Sequence, residues 1–71
     1  MAIFDANLKG VLSDYDAARL EFEAITNEIA QRLASGEALT SGDILRNEDA
    51  HSQLSRARQE VLLAFQLYRH N

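Results

Sequence analysis

The chain has 71 residues, no cysteine and no proline, and a formal net charge of −4. That length holds one small domain (1–71), and the missing cysteines exclude a disulfide framework and a thiolate zinc site as its staple. The acidic balance argues against a nucleic-acid or anionic-membrane partner, which calls for a basic face.

The N-terminal Met1-Ala2-Ile3-Phe4-Asp5 has no basic stretch followed by a cleavage-like site, so no signal peptide is expected. From Leu8 the sequence settles into a heptad. Leu8, Tyr15, Phe22 and Ile29 occupy position a, and Val11, Ala18 and Ile25 occupy d. An apolar seam of this kind specifies a helix packed along its length against another. Position g is acidic (Asp14, Glu21, Glu28), whereas position e carries Leu12, Arg19, Thr26 and Leu33 and widens the apolar stripe at both ends. The spacing predicts a first helix over about 5–34, with Glu28 and Arg32 placed to pair one turn apart.

Residues 35–41 form the expected turn. Gly36 stands where a helix is ended by a residue of positive φ, and Thr40 or Ser41 stands where the next helix is capped, with Asp43 in its first turn. The two glycines Gly36 and Gly42 do not make a phosphate loop, because neither the lysine nor the preceding strand of that motif is present.

The second helix is predicted over about 42–69. Its a row reads Asn47, Leu54, Val61, Tyr68 and its e row Ile44, His51, Arg58, Phe65. Its d row is Ala50, Ala57, Ala64, small enough to let two helix backbones approach near the short end of the usual ~8–10 Å. The fold class that follows is all-α: an antiparallel, coiled-coil-like two-helix hairpin, completed by dimerisation or by a helical partner. Asp43, Asn47 and His51 share one face of the second helix and read as a partly wet, polar half of the seam that fixes register. They are too few for a metal site, and His70 lies too far along the helix to join them. No nucleophile stands beside a histidine, and no concave pocket is implied, so no enzyme, cofactor or small-molecule substrate is expected. The basic residues Lys9, Arg19, Arg32, Arg46, Arg56, Arg58 and Arg69 are scattered among acids, without an aromatic platform.

The anomaly is an apolar excess at the end of the hairpin where the chain termini meet. Val61, Leu62, Leu63, Phe65, Leu67 and Tyr68 cover most of the circumference of the second helix, opposite Ile3, Phe4, Leu8, Val11, Leu12 and Tyr15. One seam cannot bury them all, and exposed patches of this kind mark association surfaces. The expected partner interface is Leu12, Leu62, Leu63, Phe65, Leu67 and Tyr68.

The helix-ending RLASGE (Arg32 to Glu37) and the apolar, aromatic VLLAFQLYRHN (Val61 to Asn71) give the chain a resemblance to the small helical-hairpin co-chaperones of type III secretion needle subunits. That resemblance implies a cytoplasmic chaperone working with a larger helical partner, and a partner surface that includes the C-terminal helix. Needle and inner-rod subunits, which polymerise, are also short hairpins. The function expected is therefore a protein–protein interaction module that covers apolar helical surface. The alternatives are a homodimeric four-helix bundle that binds nucleic acid and a polymerising structural subunit. The longest apolar run, Val61 to Phe65, is far short of a membrane span.

Overall fold

A computed structural model describes the backbone of residues 2–70, and the side chains of residues 7–67 and of Arg69. Two helices, α1 (Ala2–Ala34) and α2 (Ser41–His70), pack antiparallel into a rod 53 × 15 × 14 Å. The all-α hairpin is as the heptads imply. Helix α1 starts three residues earlier than expected, because nothing between Ala2 and Asp5 breaks a helix. Among the described residues no helix is long and apolar enough to cross a membrane.

The bend is built from two local motifs back to back. Gly36 has φ +89°, and around it the Glu37 N–H donates to the Arg32 carbonyl and the Gly36 N–H to the Leu33 carbonyl, each at 3.0 Å. These are the two bonds of a Schellman C-cap, closed by a residue that must take the left-handed conformation. Three residues later the Asp43 N–H donates to Thr40 Oγ1 and the Thr40 N–H donates back to Asp43 Oδ2, both at 3.1 Å. This reciprocal capping box satisfies two donors that a helix start leaves open. Leu39 and Ile44 occupy the positions flanking it that form a hydrophobic staple.

The buried seam is narrow. Among the described residues of α2 the buried ones are Asp43, Ala50, Ala57 and Ala64, spaced one heptad apart, and Ile25 faces them from α1. Alanine on this row lets α2 lie close to α1, which turns the larger a residues toward one side of the rod, where they are half-buried. Among the described residues no large side chain is fully buried.

Asp43 corrects the sequence reading. It is only 4% exposed, not partly wet. It belongs to the same d row as the alanines, and Arg32 is the matching d residue of α1. Arg32 donates from both terminal nitrogens to the two Asp43 oxygens, at 2.7 and 2.5 Å, closing the seam with a bidentate pair. Arg32 is therefore drawn across the bend instead of pairing with Glu28, and Glu28 accepts from Arg46 on α2 at 2.6 Å. Asn47 Nδ2 donates to Thr26 Oγ1 at 3.2 Å, and the His51 and Phe22 rings lie 5.8 Å apart. Asn47 and His51 thus make cross-helix contacts on the loop-side half of the seam.

The Arg32 guanidinium, and next the Thr40 amide, hold the Asp43 carboxyl well below the usual carboxylate range. A lowered folded-state value means that the ionised form stabilises the fold fully above the ordinary value of 3.8. That contribution is lost as pH falls below it. Asp43→Asn should lower the urea midpoint at pH 7 by more than Arg19→Gln does, since Arg19 pairs with Asp16 and Glu23 in solvent. The gap between Asp43→Asn and wild type should close as pH drops from about 4 toward 2. A gap independent of pH would mean that the lost interaction is not ionic.

The glycines give a second, opposed pair of expectations. Gly36→Ala forces a β-carbon into the left-handed region and should cost about 1–2 kcal/mol. Gly10 lies inside α1 with open space where a β-carbon would stand. Gly10→Ala should stabilise the hairpin by about 0.5–1 kcal/mol. Chemical unfolding of both variants reads the two signs directly.

Candidate interaction surface

Successive residues of a helix are about 100° apart, so the d-row contact fixes where every other position points. With d facing the partner helix, positions a and e of both helices lie on one flank of the rod and position g lies on the other. The cross-helix pairs Thr26–Asn47, Phe22–His51, Glu28–Arg46 and Arg32–Asp43 set the register. In that register the e residues meet level with one another, from the open end to the loop, as Leu12 with Phe65, Arg19 with Arg58, Thr26 with His51, and Leu33 with Ile44.

The a/e flank is therefore a long, shallow face. Its floor is made of half-buried a residues, among them Leu8, Tyr15, Phe22, Ile29, Leu54 and Val61. Its two ends carry exposed apolar e residues and its middle is polar. At the loop end the face deepens into a half-open groove of about 250 Å³, lined by Thr26, Ile29, Leu33, Leu39, Asp43, Ile44, Asn47 and Glu48. Leu33, Leu39 and Ile44 stand at its rim, each close to half exposed.

Of the residues expected at a partner interface, Leu12, Leu62, Leu63, Phe65 and Leu67 are exposed, from Leu12 at 39% to Leu67 at 59%. The Tyr68 side chain lies outside the described residues. They do not form one patch. Leu12 and Phe65 sit together on the a/e flank, and Leu62, at position b, borders it. Leu63, at c, and Leu67, at g, lie around the other side of α2. The loop-end groove was missed as an interface element, although its signal is legible: Leu39 and Ile44 bracket the capping sequence Thr40 to Asp43, and Leu33 ends the e row of α1.

The opposite flank differs in charge. Its g rows carry Asp14, Glu21 and Glu28 on α1 and Glu60 on α2, with Asp14 level with Glu60. Arg46, on the same flank, is bound to Glu28. From Leu12 to Leu33 and from Ile44 to Phe65 the e rows hold no acid; Asp5, one heptad before Leu12, is the acid on that row. Among the described residues no group of three or more His, Asp or Glu side chains is placed to hold a metal ion. Grooves outside the loop end include one on the g flank, lined by Glu21, Ile25, Arg46, Asp49, Ala50 and Gln53, and one on the back of α2 beside Arg58 and Leu62.

The amount of surface left open is large for the mass. The chain exposes 5462 Å², against roughly 4400 Å² for a compact monomer of this size. A rod only two helices thick creates that excess, and its exposed apolar part lies on the e rows and also at Leu20, Leu45, Leu62, Leu63 and Leu67 outside them.

No protein-family model, characterised protein or solved structure matches the chain.

Proposed function

We propose that the chain is a protein-interaction module, a small helical chaperone or adaptor that works by covering apolar helical surface of a partner and being covered in return. The observation that carries this is the absence of a fully buried large side chain among the described residues, together with the exposed leucines and phenylalanine on more than one side of α2. A buried leucine contributes roughly 1.5–3 kcal/mol, so a hairpin that leaves this many uncovered forgoes stability that a partner restores. A helix or helix pair laid along the groove is the matching ligand, read through anchors at heptad spacing. The resemblance to secretion co-chaperones suggests one setting for such a module, the cytoplasm of a bacterium with a secretion apparatus.

Sedimentation equilibrium across a wide concentration range, with circular dichroism and an apolar dye, tests the reading. The expected result is either self-association or a helical monomer that binds the dye strongly. Association through apolar surface should persist as salt is raised, whereas nucleic-acid binding would weaken steeply. A cooperatively unfolding monomer that binds no dye at any concentration would remove the proposal.

A further inference from the structure

The interaction-module reading leaves open what covers the hairpin, and the pattern on the a/e flank narrows it. We infer that the occupant is a second copy of this chain, laid face to face and end for end, so that the loop end of each hairpin covers the open end of the other in a four-helix bundle.

The face is its own complement. Leu12 with Phe65 and Leu33 with Ile44 are three heptads apart on both helices, roughly 31 Å along the rod. Midway between these ends lie the arginine level, Arg19 with Arg58, and the neutral level, Thr26 with His51. Turning a second copy end for end sets apolar ends on apolar ends and each arginine level on a neutral level. The groove between Leu33, Leu39 and Ile44 then receives the apolar end of the second copy.

Charge selects this arrangement over the alternatives. In the end-for-end stack each helix lies antiparallel to its own copy. Heptad spacing then places Arg58 opposite Glu48 of the second copy, position e against position b, and brings Arg19, already held by Asp16 and Glu23 of its own chain, near Glu23 of the second copy. A same-end stack would gather four arginines at one level. Stacking through the other flank would set the acidic g rows of two copies against each other, a like-charge contact. The area also suffices. In this register the two rods overlap over roughly 45 Å, and with a width of 15 Å each presents roughly 650–700 Å², within the range that one partner contributes to a standard stable interface.

The chain has no cysteine, so Ala38→Cys in the exposed loop gives one site for a spin label. With the two-fold midway between Leu12 and Leu33, pulsed dipolar measurement on the labelled protein should return a distance of roughly 40–45 Å, twice the rise from that level to the loop. A short distance, with both loops at one end, would overturn the arrangement. In sedimentation equilibrium the wild-type chain and Leu63→Glu should both be dimers. Phe65→Glu should weaken dimerisation on the order of 100-fold or more while helicity is kept. If Phe65→Glu does not fold, Leu33→Glu at the opposite end of the same face makes the same test. A dimer that survives both folded variants, or that is lost with Leu63→Glu alone, would overturn the assigned face. A helical wild-type monomer that binds apolar dye would overturn the second copy as occupant and leave the interaction module standing with a foreign partner.

Discussion

Close approach of two helices along the row Ala50, Ala57 and Ala64 is the constraint on which the other features depend. Small side chains at d bring α2 against α1 with little volume to fill between them, so the bulky a residues cannot all enter the seam and are turned to one flank. The same closeness makes the one polar member of the row, Asp43, a buried carboxylate, which is tolerable only because Arg32 reaches it with both nitrogens. Seam, ion pair and apolar face are three outcomes of one packing choice.

This explains why the hairpin is well specified and yet leaves much apolar surface exposed. Its register is set by polar contacts near the loop: the Arg32–Asp43 pair, Glu28 with Arg46, and Asn47 with Thr26. Its apolar surface, by contrast, finds a floor but no roof. A chain of this size has few ways to reach stability without staples, and the uncovered a and e rows are the surface on which the proposed association rests.

Much of this is legible in the residues. The heptads, the alanine row, Gly36 as a C-cap and Thr40 with Asp43 as a capping pair each follow from local rules that tertiary context does not override. Arg32 and Asp43 were harder, because an arginine one turn after Glu28 reads as half of a surface pair. Counting the d rows through the bend places both on the seam, and that count carries the correction. The apolar residues of the C-terminal helix are visible as an excess, but a list of exposed leucines does not say which share a flank. Only the seam direction separates Leu12 and Phe65 from Leu63 and Leu67.

The tightly closed bend also gives the hairpin a direction of assembly. Cross-helix partners are 11 residues apart at Arg32–Asp43, 18 at Glu28–Arg46 and 21 at Asn47–Thr26. With the loop held by its two caps, each further layer closes only a slightly longer loop than the one before, and loop-closure entropy rises slowly with length. Closing the layers from the bend outward is thus the route of least loop-closure cost in a hairpin of low contact order. The groove at the loop end is accordingly bounded by the contacts of shortest sequence separation, whereas the face toward the termini depends on the longest.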